Sequence, residues 1–344
     1  MVSHTVRIGI DLMGGDSSPD SLFQGSIKAL EQLPSVSIVY LATWAFQSSI
    51  EEILKKIPQS IRSRISFEWV HDYISMEAIP IAALRKQKGA SVLVGMRLLK
   101  TRKIDALLSM GNTGALLAAA TLTLPLLPGI RRPALLALLP SEKGNVAVLD
   151  VGGNLSCKAA HLVQFALMGA AYQRCCGPIE RPRVGLLNIG VESKKGTSEI
   201  QKAYQQLQEM ESSPQLEFIG NVEGRDVFKG AVDVLIADGF TGNVFLKTVE
   251  GTSLFLMHEL GVVLSKHQHP FQNAILSQLK ERFHYEKQHG AFLCGVDALV
   301  MKCHGATSSE GIAQGVAGLV RMVNMNLVKA IKQQLANCLI HALE

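Results

Sequence analysis

Ile104–Leu117 reads IDALLSMGNTGALL: an apolar run stops at Ser109, breaks into Gly111-Asn112-Thr113-Gly114 and restarts at once with helical character. Strand, tight turn, helix is the expected order. A strand that feeds a helix through glycines leaves the first helical N–H groups without intrahelical partners, and an anion can take them up. The simpler reading of this stretch alone is a tight βα turn capped by Asn112 or Thr113.

Working outward, the same alternation recurs. Strands are expected at Val6–Leu12, Val36–Leu41, Ile65–Val70, Val146–Val151, Val184–Asn188, Leu216–Ile219, Val232–Ala237 and Ala298–Lys302. Helical spacing occupies Pro19–Leu33, Thr43–Lys56, Ser91–Lys100 and about Ser156–Arg174. Ser198 with Gln201 and Thr307 with Glu310 have capping-box spacing at two further helix starts, the second opening a long C-terminal helix. From Val244 to about Tyr285 strand character ceases, and Phe271, Ile275, Leu279 and Phe283 form a helical stripe suited to core, to a second helix or to a membrane surface. The fold class expected is α/β: a mostly parallel sheet with helices on both faces, as one large unit over 1–344 with 244–290 as a helical segment within it.

Composition narrows the function. A 344-residue chain with 47% hydrophobic residues can bury a sizeable core. Its longest apolar stretch, Ala115–Leu139, is interrupted by Pro125, Pro128, Gly129 and Arg131-Arg132, short of the about 20 apolar residues a spanning helix needs. No signal pattern precedes the strand at Val6. The six cysteines lack metal-ligand spacing and read as reduced thiols in a cytoplasm. A formal charge of +5 with 6% aromatic residues supplies neither basic stripe nor stacking platform, so nucleic acid is not an expected partner.

Ligands of open α/β sheets bind beyond the carboxyl ends of the strands, where loops and helix N-termini converge. Gly14-Gly15, Gly111–Gly114, Gly152-Gly153, Gly190–Gly196 and Gly239–Gly242 all fall at such ends, so five loops are expected on one rim. That rim would carry Asn112, Thr113, Asn154, Asn188, Lys194, Lys195, Thr241 and Asn243, with His304 nearby: neutral donors and two cations, an anion-binding set. Asp11, Asp16, Asp150 and Asp238 also recur at strand ends; turn stabilisation and helix capping explain them more simply than Mg²⁺ does, and neither metal nor cofactor is expected. A GxGxxG fingerprint after the first strand, a P-loop ending and a G-x-S-x-G elbow are all missing. Cys303 beside His304 is the one tempting nucleophile.

The pieces IDLMGGD, SMGNTGALL, RRPAL, LDVGGN, VGLLNIGVESKKGT, FIGNVEGRD, DVLIADGFTGNVFLK and GVDALVMKCHG, in this order over about residues 8–305, resemble the soluble phosphate acyltransferases of bacterial phospholipid synthesis, the PlsX family. The chain departs from that pattern at Gly153, at Lys88–Ser91, at His284-Tyr285 and at His289-Gly290-Ala291. The resemblance implies transfer of a fatty acyl group from acyl carrier protein to inorganic phosphate. It also implies a homodimer with a three-layer αβα fold like the isocitrate and isopropylmalate dehydrogenases. Loose membrane association of a cytoplasmic protein is implied too, with acyl phosphate passed to a membrane glycerol-3-phosphate acyltransferase.

Phosphate is already an anionic nucleophile, so such an enzyme needs a seat and oxyanion donors rather than a catalytic serine. Lys194, Lys195 and the 111–114 N–H groups are expected to bind phosphate and oxyanion, Asn112, Asn154 and Asn243 to orient it, and His304 to act in thiol release. Gly14, Gly15, Asp16, Gly111, Thr113, Gly114, Asn188, Gly196, Asp238, Thr241 and Gly242 complete the expected binding set. Alternatives are a phosphate acetyl- or butyryltransferase acting on coenzyme A thioesters, a metal- and NAD-dependent dehydrogenase, and a membrane-surface scaffold.

Overall fold

A computed structural model describes residues 5–177, 179–210, 212–266, 271–283, 290–305 and 307–341, with 272, 273, 280–283 and 337–341 described by backbone alone. The chain forms two compact units, Met1–Pro133 with His289–Glu344, and Ala134–Gln288.

The first unit opens with β1 (Val6–Asp11), α1 (Pro19–Gln32), β2 (Val36–Thr43), α2 (Gln47–Lys55), α3 (Gln59–Arg62) and β3 (Ile65–Val70). It continues through α4 (Pro80–Lys86), α5 (Ser91–Lys100), β4 (Ala106–Ser109) and α6 (Thr113–Thr123). The second unit holds β5 (Ala134–Ser141), β6 (Gly144–Leu149), α7 (Ala159–Cys176), β7 (Arg183–Leu187), α8 (Ser198–Glu209), β8 (Glu217–Val222), β9 (Val234–Ile236), α9 (Gly239–Lys266) and α10 (Gln272–Phe283). The chain then returns to the first unit with β10 (Ala291–Cys294), β11 (Leu299–Lys302), α11 (Ser309–Asn324) and α12 (Leu327–His341).

In the first unit the strand order is β3-β2-β1-β4-β11-β10, parallel except for β10 against β11. Adjacent β4 residues point to opposite faces. Gly95 of α5 fits over Leu107 and Gly315 of α11 over Leu108, which places helices on both faces of these strands. In the second unit the order is β5-β6-β9-β7-β8, parallel except for β5 against β6. Gly169 of α7 packs on Val234 and Leu149, and Arg183 forks onto Asp233 (2.8 and 3.0 Å), tying β7 to β9.

Mixed α/β architecture with mostly parallel strands is as the sequence led one to expect, and several boundaries are not. β5 and β10 are strands beyond those expected. The 239–243 segment is the first turn of α9 rather than a loop, because Asp238 accepts the Thr241 N–H (2.8 Å) and hydroxyl (2.9 Å) and starts the helix there. Thr197 and Ser308, not Ser198 and Thr307, are the N-caps, accepting from Ile200 N (3.4 Å) and Gly311 N (3.1 Å). The C-terminal helix is two helices, broken at Asn326, whose φ is +50°. His284-Tyr285 and His289 lie outside the described residues, as does the Phe283 side chain of the expected stripe.

Candidate functional site

In the first unit, β1, β4 and β11 lie side by side, and Asp11, Ser109 and Lys302 share one register row at their carboxyl ends. The turns that follow therefore converge. Asp16 N donates to Gly305 O (2.9 Å), and Cys303 N to Ser109 O (3.0 Å). Gly14 has φ +76°, and a Cβ there would stand 2.6 Å from Ile74 O; Gly15 has Met110 Cβ and Gly305 O just over 3 Å from its own Cβ position. Gly14, Gly15, Asp16, Gly111–Gly114 and His304 are thus brought together, with Asp16 and His304 exposed and Asn112 half-buried.

Asn112 is the N-cap of α6. Its Oδ1 accepts Ala115 N–H (3.0 Å), while Nδ2 donates to the Met76 (2.9 Å), Ser75 (3.3 Å) and Ala78 (3.4 Å) carbonyls. Both ends of this amide are engaged in holding backbone. Gly111 N–H donates to Ser109 Oγ (3.2 Å). The N–H groups of Thr113 and Gly114 meet no acceptor among the described residues, which leaves two adjacent donors at the start of an 11-residue helix.

Beneath this turn lies a polar cluster that sequence reasoning did not assemble. Ser109 Oγ donates to Asp11 Oδ2 (3.1 Å), whose Oδ1 accepts Met13 N–H (3.1 Å), and Lys302 Nζ donates to the Met110 carbonyl (3.2 Å) and to that of Cys303. All three side chains are buried. Burial pushes the Asp11 carboxyl up to about 6, against the pull of hydrogen bonds from Ser91, Met13 and Ser109 and of the Lys302 charge. The available signal was a charged residue closing an otherwise apolar run, Leu299–Lys302. Cys303 is buried and its thiol is pushed up to about 12, so no thiolate stands ready there; this removes the one cysteine nucleophile the sequence offered.

In the second unit the carboxyl ends of β6, β9 and β7 carry the remaining residues. Asp150 is fully buried and accepts four hydrogen bonds, from Leu135 N (2.9 Å), Gly153 N (3.0 Å), Asn154 N (2.6 Å) and Asn154 Nδ2 (2.8 Å). Burial still holds its carboxyl above the ordinary range. Asn154 O accepts Gly239 N–H (2.7 Å), and a Cβ at Gly239 would stand 2.6 Å from that same oxygen. Gly152, at φ +130°, faces Asn243, which is itself exposed. The 150–154 turn and the start of α9 therefore form one assembly.

The 188–197 loop is closed by amides. Asn188 Nδ2 donates to Lys195 O (3.1 Å), Gln201 Nε2 to Lys194 O (2.7 Å) and Gly196 O (3.1 Å), and Asn221 Nδ2 to Glu192 O (2.8 Å). Gly196 takes φ +84° against the Asn188 amide. Lys194 and Lys195 are exposed, and their ammonium groups make no hydrogen bond or ion pair among the described residues. No three His, Cys, Asp or Glu side chains come together to hold a metal ion, and no helix is long and apolar enough to cross a membrane, among the described residues.

The family model and the curated relatives agree on one family. Residues 6–330 match the family described as fatty acid synthesis protein. A phosphate acyltransferase of Chlamydia abortus is 40% identical over 336 residues, 96% of this chain and 99% of that protein. A phosphate acyltransferase of Thermoanaerobacter pseudethanolicus is 37% identical over 96% of this chain and 97% of its own length. Among solved structures, a phosphotransacetylase of Streptococcus pyogenes aligns with TM-score 0.62 at 15% identity, covering 95% of this chain and 94% of its own. A branched-chain phosphotransacylase of Enterococcus faecalis aligns at 0.56 and 14%, covering 92% and 99%. At such identities these structures speak to the fold.

Proposed function

The chain belongs to the fatty acid synthesis protein family, and we propose that it is a phosphate acyltransferase, moving a fatty acyl group from a thioester to inorganic phosphate. The observation that carries this reading is the near full-length likeness to phosphate acyltransferases, with the unclaimed Thr113 and Gly114 N–H groups offering an anion seat within the chain. A phosphate oxygen attacks the thioester carbonyl, the tetrahedral oxyanion collapses with loss of the C–S bond, and the departing thiolate takes a proton. Acyl phosphate and free thiol are the products.

Roles follow from placement. Two helix N–H groups suit a phosphate or oxyanion, since the helix start carries partial positive charge. His304, exposed beside that turn on the adjacent strand end, is the proposed proton donor to the thiolate. Lys194 and Lys195, whose ammonium groups have no partner among the described residues, are proposed to bind phosphate or oxyanion. Asn154 and Asn243 are proposed to act from the 150–154 and α9 turns.

The donor proposed is acyl carrier protein. The working form is proposed to be a homodimer with an isocitrate/isopropylmalate dehydrogenase-like, three-layer αβα fold. The α9 and α10 segment exposes Leu254, Phe255, Leu256 and Phe271, which supports its use against a second copy or a membrane surface. A peripheral membrane protein of the cytoplasm that supplies acyl phosphate to a membrane glycerol-3-phosphate acyltransferase fits these features. Thiol release measured with long-chain acyl carrier protein and with acetyl, butyryl and long-chain coenzyme A thioesters tests the donor. Faster, phosphate-dependent release from acyl carrier protein is expected; turnover confined to short coenzyme A thioesters would assign the chain to the acetyl- or butyryltransferases instead.

A further inference from the structure

The peptide joining Met110 to Gly111, the one that leads into the α6 turn, is held at both ends by buried side chains. Its carbonyl accepts from Lys302 Nζ (3.2 Å), and its N–H donates to Ser109 Oγ (3.2 Å). Ser109 spends its own proton on Asp11 Oδ2 (3.1 Å), so its lone pairs face Gly111. Asp11, Ser109 and Lys302 sit opposite one another on β1, β4 and β11, three hydrogen-bonded strands.

We infer that Asp11, Ser109 and Lys302 form a clamp that fixes the 110–111 peptide and thereby aims the Thr113 and Gly114 N–H groups at phosphate. The three are positioning residues, since none of them needs to touch substrate. Three observations separate this from ordinary core packing. A buried lysine and a buried aspartate are costly to retain, and apolar side chains would fill a strand end more cheaply. Lys302 reaches the turn directly and Asp11 reaches it through Ser109, while Asp11 also accepts from Met13 N–H and Ser91 and Lys302 also donates to the Cys303 carbonyl. The peptide they hold lies just before the Thr113 and Gly114 N–H groups, so a rotation of that unit redirects both donors. Asn112, the α6 cap, fixes the far side of the same turn through Ala115.

The inference rests on reading the α6 start as the phosphate seat, and the test separates the two. Ser109→Ala removes only the hydroxyl, leaving Gly111 N–H without its acceptor; Ser109→Thr restores a hydroxyl. For the full-length protein, kcat, the phosphate KM and the acyl donor KM are measured together, with calorimetric binding of inorganic phosphate and thermal melting alongside. A donor misplaced by about 1 Å can cost on the order of 100-fold. The expected result for Ser109→Ala is therefore a phosphate KM raised about tenfold or more, with weaker phosphate binding, a donor KM within about twofold of wild type, and recovery in Ser109→Thr. Lys302→Met is expected to act in the same direction.

A Ser109→Ala phosphate KM within twofold of wild type would overturn the clamp and leave the function standing. So would equal losses in donor KM, phosphate KM and melting temperature with no recovery in Ser109→Thr, which describe a packing residue. Phosphate binding by wild type that Ser109→Ala weakens, without any thioester consumption, would retain the clamp and overturn the acyl transfer. Absence of both binding and turnover in the wild type would overturn both.

Discussion

Asn112 shows what a side chain can be doing when a motif points to chemistry. Its amide is committed on both sides to backbone, as an α6 cap and as a tether for the 75–78 carbonyls. Asn112→Ala is expected to lower unfolding free energy by about 1–2 kcal/mol, in the upper range for a lost cap, read as a shifted denaturant midpoint. A stable variant that loses only turnover would instead put the amide on substrate. Lys194 and Lys195 are the opposite case: nothing among the described residues claims their ammonium groups. Lys194→Ala or Lys195→Ala should leave stability within about 0.5 kcal/mol and cut kcat about 100-fold for the one that meets the oxyanion. Losses below tenfold for both would make them solvated surface charges.

Asp11 carries a pH signature. Burial raises its carboxyl from 3.8 to about 6, so ionisation opposes folding: the stabilisation is complete below pH 3.8 and is lost as pH rises through about 6. The full difference is on the order of 3 kcal/mol. Wild-type melting temperature should therefore fall relative to Asp11→Asn between pH 4 and pH 6.5, and parallel melting curves would contradict this. At this scale sequence reading took Asp11, Asp150 and Asp238 as turn and capping residues, and each accepts backbone N–H groups of the segment that follows it. It missed Lys302 and Ser109, because their meeting depends on β11 lying beside β4, a pairing between segments far apart in the chain.

At the scale of elements, α9 shows glycine used in two ways. Gly242 sits where a Cβ would overlap the Asp150 carbonyl oxygen, whereas Gly251, further along the same helix, has open space around it. Gly242→Ala is expected to destabilise the protein by about 1–3 kcal/mol through overpacking, and Gly251→Ala to stabilise it by about 0.5–1 kcal/mol through helix propensity. Urea titrations of the two variants check both signs. The 239–243 turn looked like a loop because its glycines and Asn243 have turn chemistry; Asp238 converts that composition into a helix start. β5 escaped notice because Pro140 and the preceding Pro125, Pro128 and Pro133 punctuate an apolar run, and proline argues against a strand. Pro140 is tolerated near the hairpin end of β5, opposite Asn145.

For the molecule as a whole, α/β class and family were legible because strand and helix periods alternate cleanly and the spaced motifs run nearly the length of the chain. What the periods do not carry is strand order. The first unit takes β10 and β11 from the far end of the chain, and that return places Cys303-His304-Gly305 beside the 109–114 turn. The central claim, acyl transfer to phosphate, is tested most directly by incubating the purified full-length chain with long-chain acyl carrier protein and radiolabelled inorganic phosphate. Label should pass into a solvent-extractable acyl phosphate, with one thiol released for each label transferred. Thiol release that proceeds without phosphate and yields no labelled acyl product would contradict it.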